Sequence, residues 1–212
     1  MDGAIANQHV QTDLRDFLAA VEEGGELKKV AGAHWDKEIG AVTEVLYREK
    51  VDRSPLLLFD EVPGYQKGFR CLYGMLGSPY RLALGMGIDP SGSGDRRAML
   101  DAYRERIKQY EPIPPNVVTE APILENIDRD EDVDLTKFPV PVHHEKDGGR
   151  YIGTACGVIT KDPDTGRVNV GTYRVMLNGK NIATSYISNG KQGRIQRDKY
   201  LKEGKRCPMV IV

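Results

Sequence analysis

Leu14, Phe17, Leu18 and Val21 stand at i, i+3, i+4 and i+7, one apolar stripe along a helix of 3.6-residue period. Asp13 sits where an N-cap acceptor is wanted and Gly24-Gly25 where a helix stops, so the pattern predicts a helix between them. A short strand over 26–30 follows. A second amphipathic helix is expected over about 37–50, with Ile39, Val42, Val45 and Leu46 turned inward. Pro55 introduces Leu56-Leu57-Leu58-Phe59, a compact apolar run that reads as a buried strand. Another strand is expected over 69–73. Ser78-Pro79 opens a short helix through Met86, residues 89–94 carry turn chemistry, and Asp95 opens a helix bearing Met99, Tyr103, Ile107 and Tyr110 at helical spacing. Pro112, Pro114 and Pro115 stop that helix, because proline has no N–H for the i−4 bond. The alternation of helix and strand over residues 1–111 predicts a small α/β domain.

Residues 112–150 break the pattern. They hold six of the twelve prolines (Pro112, Pro114, Pro115, Pro122, Pro139 and Pro141) and the acidic run from Asp128 to Asp134. This is the composition of a connector with a solvated charged face. Beyond Asp147-Gly148-Gly149-Arg150 the period becomes that of strands. Strand candidates over 151–160, 168–177 and 182–188 are separated by Asp162-Pro163-Asp164-Thr165-Gly166 and by Asn178-Gly179, both with hairpin turn chemistry. Three strands joined this way predict an antiparallel meander. A helix over 192–203 and an apolar strand over 209–212 complete the pattern. The chain stops inside that last apolar run with no polar tail behind it, and the expectation is a truncated polypeptide.

Composition narrows the function classes. Thirty basic residues against thirty-one acidic ones leave a net charge of -1, which disfavours a dedicated nucleic-acid binder or a polybasic membrane protein. No run reaches the roughly 18 apolar residues of a membrane span, and the first eleven residues lack the apolar and basic segments of a signal peptide. Cys71, Cys156 and Cys207 are far apart and never form a C-x-x-C pair, which fits a reducing cytoplasm and neither a disulfide framework nor a zinc site. Seven basic residues between Lys191 and Arg206 read as a solvated helix face. The Gly85/Gly87 and Gly92/Gly94 pairs lack the strand–turn–helix setting of a dinucleotide site, and no Ser or Cys stands in a nucleophile-elbow setting.

The densest chemistry lies in Asn169-Val170-Gly171-Thr172-Tyr173-Arg174. Asn offers a neutral oxygen to a hard cation, Gly lets a ligand approach the backbone, and Arg presents a permanent charge in a fork that matches carboxylate or phosphate. Asn169 and Arg174 are five positions apart, so a regular strand would send them to opposite faces. A shared site needs a bulge, with Gly171 the obvious place, or a ligand that wraps over the strand end. His143-His144 with Glu145 and Asp147 could be drawn as a metal cluster. Adjacent strand residues point apart, however, and a linker role is the expected one.

Taken together, Asp147-Gly148-Gly149-Arg150-Tyr151-Ile152, Asp162-Pro163, Thr165-Gly166 and Asn169 to Arg174 closely resemble the UbiD family of reversible, prenylated-FMN-dependent decarboxylases of aromatic and α,β-unsaturated acids. Gly190 to Ile195 and Arg197-Asp198-Lys199-Tyr200 resemble its hydroxyarene-acid branch. The resemblance implies an α+β protein in which the α/β domain (1–111) and the connector (112–150) lead into the start of a flavin-reductase-like split β-barrel (151–212). It also implies roles. Asn169 matches a ligand of the divalent metal, usually Mn2+, that bridges to the cofactor phosphate, with K+ as a further candidate cation. Residues Asn169, Val170, Gly171, Thr172, Tyr173 and Arg174, with Lys191 and Gln192, match the prenylated-FMN site. Arg174 matches the catalytic Arg that orients the substrate carboxylate.

Two departures stand out. Gln192 falls where the family commonly has a metal-binding His; if the correspondence slips, Asn189 or Gln196 would face the metal instead. The family is also longer, and its Glu metal ligand, its acidic proton donors and its oligomerisation region lie beyond Val212. The expectation is a cytoplasmic, homo-oligomeric carboxy-lyase when full length, acting on a phenolic acid and supplied by a prenyl-FMN synthase. This chain alone would be inactive. The rivals are a flavin-dependent oxidoreductase on a similar barrel, or a non-catalytic truncated subunit.

Overall fold

The computed structural model describes Gln11, residues 13–50 and residues 53–212; the leader region considered above (1–10) lies outside them. The chain divides into two compact units, one holding residues 38–127 and the chain up to His34, the other holding Trp35–Lys37 and Asp128–Val212.

In the N-terminal unit, α1 (Leu14–Glu23) is capped by the Asp13 carboxylate, which accepts the backbone N–H groups of Arg15 and Asp16. Strands β1 (Leu27–Ala31), β2 (Leu56–Asp60) and β3 (Cys71–Tyr73) form a sheet of order β1-β2-β3, parallel in the first pair and antiparallel in the second. Helices α2 (Glu38–Glu49), α3 (Pro79–Met86) and α4 (Arg96–Lys108) complete it. The apolar run 56–59 is buried throughout, as a strand covered on both faces must be. Phe17, Val21, Leu56 and Leu84 form the core, with Leu18, Leu27, Leu72 and Tyr80 packed around it. Burying each such large side chain is worth about 1.5–3 kcal/mol.

Two stripes differ from their sequence reading. In α2, Val45 is exposed while Gly40 and Thr43 are buried; the Thr43 hydroxyl donates to the Ile39 carbonyl (2.7 Å), which lets a polar residue occupy that face. In α4, Ile107 is exposed and no residue is fully buried.

Arg81 organises the unit's polar interior. Its fully buried guanidinium donates to the Gly74 carbonyl (3.0 Å), the Ser54 carbonyl (2.7 Å) and the Glu26 carboxylate (2.5 Å), and Glu26 also accepts from the Ser78 hydroxyl that caps α3. Burial pulls the guanidinium below its ordinary pKa, against the opposing attraction of Glu26.

The C-terminal unit begins with irregular chain. Trp35–Lys37, within the stretch assigned by sequence to the first domain, forms a parallel bridge from Asp36 to Val142, and Arg150 stacks 4.2 Å over the Trp35 ring while donating to the Val140 carbonyl. Two three-stranded sheets follow. One has the order β4-β7-β8 (Tyr151–Gly153, Val175–Leu177, Ala183–Ser185); the other has the order β6-β5-β9 (Val168–Gly171, Val158–Lys161, Met209–Ile211). Every pairing in both is antiparallel.

This corrects the meander. Both tight turns are present, joining β5 to β6 and β7 to β8, but the two hairpins belong to different sheets. The stretch 151–160 is two strands, and so is 168–177, which breaks over Thr172, Tyr173 and Arg174. Each half finds a separate ladder partner, and periodicity carries no record of partners. Helix α5 (Gln192–Lys202) lies between β8 and β9 in sequence. Among the described residues no helix is long and apolar enough to cross a membrane.

Candidate functional site

Helix α5 runs along the β5–β6 hairpin in the direction opposite to β6, fastened at three points. At its far end the Lys199 ammonium donates to both Asp162 carboxylate oxygens (3.1 and 2.8 Å) and pairs with Asp164 (2.8 Å). The hydrogen bond from Lys199, opposed by burial and helped by the Thr165 and Asp164 N–H groups, lowers the Asp162 pKa to about 2. At mid-length, Gln196 is almost fully buried and reaches both strands: its amide nitrogen donates to the Arg167 carbonyl (3.1 Å) and its oxygen accepts from the Thr160 hydroxyl (2.6 Å). At the near end, the Gly193 N–H donates to the Tyr173 phenol oxygen (3.3 Å).

That last contact explains two glycines. The Tyr173 ring fills the space between the end of β6 and the start of α5. A Cβ on Gly171 would stand 2.5 Å from the ring, and one on Gly193 would stand 3.0 Å from it. The corner itself is tied down. The Tyr173 carbonyl accepts from the Cys156 thiol (3.4 Å) and the Arg174 carbonyl from the Tyr186 N–H (3.3 Å).

The predicted residues distribute as follows. Asn169 is half-buried on β6, opposite Thr160 of β5, and its amide nitrogen donates to the Thr160 hydroxyl (3.3 Å). Val170 is exposed opposite Ile159, and Gly171 ends the strand opposite Val158. Thr172 and Arg174 are exposed in the corner, and the Arg174 guanidinium has no hydrogen-bond or ion-pair partner among the described residues. Lys191 is the N-cap residue of α5 and Gln192 its first residue; both are exposed. The structure therefore joins the Asn169–Arg174 segment to the Lys191–Gln192 segment through Tyr173. No bulge at Gly171 is involved: the strand ends there and Arg174 lies in the crossing to the other sheet.

Gln196, named by the alternative correspondence, is turned inward, with its amide nitrogen on the Arg167 carbonyl and its oxygen on the Thr160 hydroxyl. Asn189 is exposed in the turn before α5. Thr160, the Lys199–Asp162 pair and the inward role of Gln196 escaped sequence reasoning. The available signal was a glutamine one helical turn beyond Gln192, hence on the same face of the helix.

The histidine pair sits in a turn held by Asp147. The Asp147 carboxylate accepts the backbone N–H groups of His143 and His144 (3.2 and 3.0 Å), which makes it a turn cap, and burial holds His143 below its ordinary pKa. Among the described residues no group of three or more His, Cys, Asp or Glu side chains is placed to hold a metal. A cavity of about 670 Å3 in the N-terminal unit, with Glu26, Lys28, Lys50, Arg53, Ser78 and Arg96 in its walls, contains none of the candidate site residues predicted from the sequence.

Comparison with known proteins agrees with this frame. Residues 18–98 match the N-terminal domain of 3-octaprenyl-4-hydroxybenzoate carboxy-lyase, and residues 116–212 match the Rift-related domain of the same enzyme. A pyrrole-2-carboxylic acid decarboxylase from Pseudomonas aeruginosa is 33% identical over 208 residues, covering 94% of this chain and 40% of that protein. The closed form of vanillic acid decarboxylase from Sedimentibacter hydroxybenzoicus superposes with a TM-score of 0.83 at 29% identity, over 95% of this chain and 42% of that one. An evolved dimeric form of the UbiD-class enzyme HmfF from Pelotomaculum thermopropionicum, in complex with prFMN, gives 0.77 at 29% identity, over 95% of this chain and 44% of that one. The chain thus spans about two-fifths of the length of these relatives.

Proposed function

This chain belongs to the UbiD family, and from that premise we propose that it forms the flavin- and metal-holding part of a reversible, non-oxidative decarboxylase of aromatic acids. A phenolic acid is the favoured substrate, on the resemblance of 190–200 to the hydroxyarene branch and the likeness to vanillic acid decarboxylase. The observation that carries the proposal is the Tyr173–Gly193 contact. It brings together two sequence-distant segments, one with an unpartnered guanidinium and an amide, the other with an ammonium and a helix N-terminus.

The donors present suit the cofactor and metal that the family uses. With its nitrogen held by Thr160, Asn169 has its carbonyl oxygen free of protein donors among the described residues, and Gln192 offers a second neutral oxygen. Such oxygens suit Mn2+, with a phosphate and further groups completing the coordination. Lys191 and the N-terminus of α5 would meet that phosphate, where ammonium and N–H groups favour an anion. Arg174 would hold the substrate carboxylate through two parallel N–H···O bonds, fixing the C–C bond that breaks as CO2 leaves. Prenylated FMN, when bound, supplies the electron sink for the pair released from that bond.

The test begins with co-expression of the chain with a prenyl-FMN synthase and mass spectrometry of the ligand extracted from it. Prenylated FMN is expected; ordinary FMN with NAD(P)H oxidation would establish the oxidoreductase instead. In a polypeptide completed to the relatives' length, Arg174→Ala should lower decarboxylation by about 10²-fold or more while the fold, followed by circular dichroism, stays intact. Unaltered turnover would remove Arg174 from the mechanism.

A further inference from the structure

The three side chains Gln196, Thr160 and Asn169 form a line of hydrogen bonds whose direction admits one solution. It starts at the Arg167 carbonyl, which can only accept. The Gln196 atom 3.1 Å from it must be the amide nitrogen, so the Gln196 oxygen faces Thr160. Over 2.6 Å the Thr160 hydroxyl must then donate its single proton to that oxygen. With its proton committed, Thr160 can only accept from Asn169, so the Asn169 nitrogen must face it. The Asn169 oxygen is left pointing away from the line. Thr160 and Gln196 are 1% and 2% exposed, so water does not compete at the first two links.

We infer that Thr160 and Gln196 are positioning residues: they transmit the polarity of the Arg167 carbonyl to Asn169 and so present its oxygen, and not its NH2 group, to a cation. An amide free to flip would offer its NH2 group half the time, and an N–H donor repels a cation. The inference rests on the reading of Asn169 as a metal ligand, and it explains how a neutral amide is committed to that role.

The experiment compares Thr160→Val, which keeps the shape and deletes the hydroxyl, with Thr160→Ser, which restores it, both in the 212-residue chain and checked for fold by circular dichroism. Two readouts are taken. One is Mn2+ affinity in the presence of FMN, followed by the electron paramagnetic resonance of free Mn2+. The other is exchange of the Asn169 side-chain NH2 protons by NMR, which requires no metal. The expected result is an NH2 pair protected in the parent and the Ser variant and lost in the Val variant. Mn2+ binding should be weaker by about tenfold or more in the Val variant and within about threefold of the parent in the Ser variant. An NH2 pair unchanged in the Val variant would overturn the relay. Loss of the pair with unchanged Mn2+ affinity would overturn its role toward the metal. A parent chain with a protected pair and no Mn2+ binding supports the relay and refutes the metal reading of Asn169 alone.

Discussion

An amide oxygen is a modest ligand for a transition ion, and Gln192 is the residue at which that matters most. It opens α5 and is exposed, and on the family resemblance it falls where a metal-binding His is expected. Neutral imidazole is a stronger donor than an amide oxygen to a transition ion. Gln192→His is therefore expected to tighten Mn2+ binding by about an order of magnitude, read by titration calorimetry. Unchanged affinity would move the ligand position elsewhere, with Asn189 the next residue to test. At this scale much of the chemistry was legible. Asn, Gly and Arg announce a cation, a close approach and an anion by residue type. Thr160 was not legible, because a threonine in a strand gives no sign that its hydroxyl will be the hinge of a buried relay.

At the scale of elements, the site depends on how α5 lies on the β5–β6 hairpin, and the Lys199–Asp162 pair fastens the end of the helix remote from the site. The Asp162 pKa falls from 3.8 to about 2 in the folded chain. A depressed carboxylate pKa means that the unfolded state binds the proton more readily. Its stabilisation is complete above about pH 4 and is lost as pH falls from 4 towards 2. Asp162→Asn should thus lower the thermal midpoint at pH 7 and flatten its decline between pH 4 and pH 2, as followed by circular dichroism. An acid limb identical to that of the parent would show that the pair contributes nothing to the linkage. The elements themselves were mostly readable: caps at Asp13, Ser78 and Asp95 and the turns at 162–166 and 178–179 all do what their residue types dictate. The runs 151–160 and 168–177 were exceptions, each breaking into two strands, and the second shows why. Its apolar residues are continuous enough for one strand, but the Tyr173 ring occupies the space at Gly171 and the chain departs for the other sheet.

For the whole molecule, the chain covers about two-fifths of its relatives' length, while decarboxylation also needs a group that returns a proton as CO2 leaves. The expected behaviour is that the 212 residues load flavin and metal without turnover. Adding the polypeptide that completes the relatives' length should restore CO2 release, measured with a phenolic acid. Turnover by the 212 residues alone would show that the proton donor lies among them.

Sequence alone determined the residue chemistry, the capped helices, the α/β character of the first unit and membership of a carboxy-lyase family. Each of these is written in side-chain type and local spacing. Only the tertiary structure decided which hairpin joined which sheet, that the Tyr173 phenol meets the Gly193 N–H at the start of α5, and that the Gln196 amide turns inward onto Thr160 and Arg167. Those outcomes depend on partners distant in the chain, and local periodicity records which face a residue occupies but never what that face will meet.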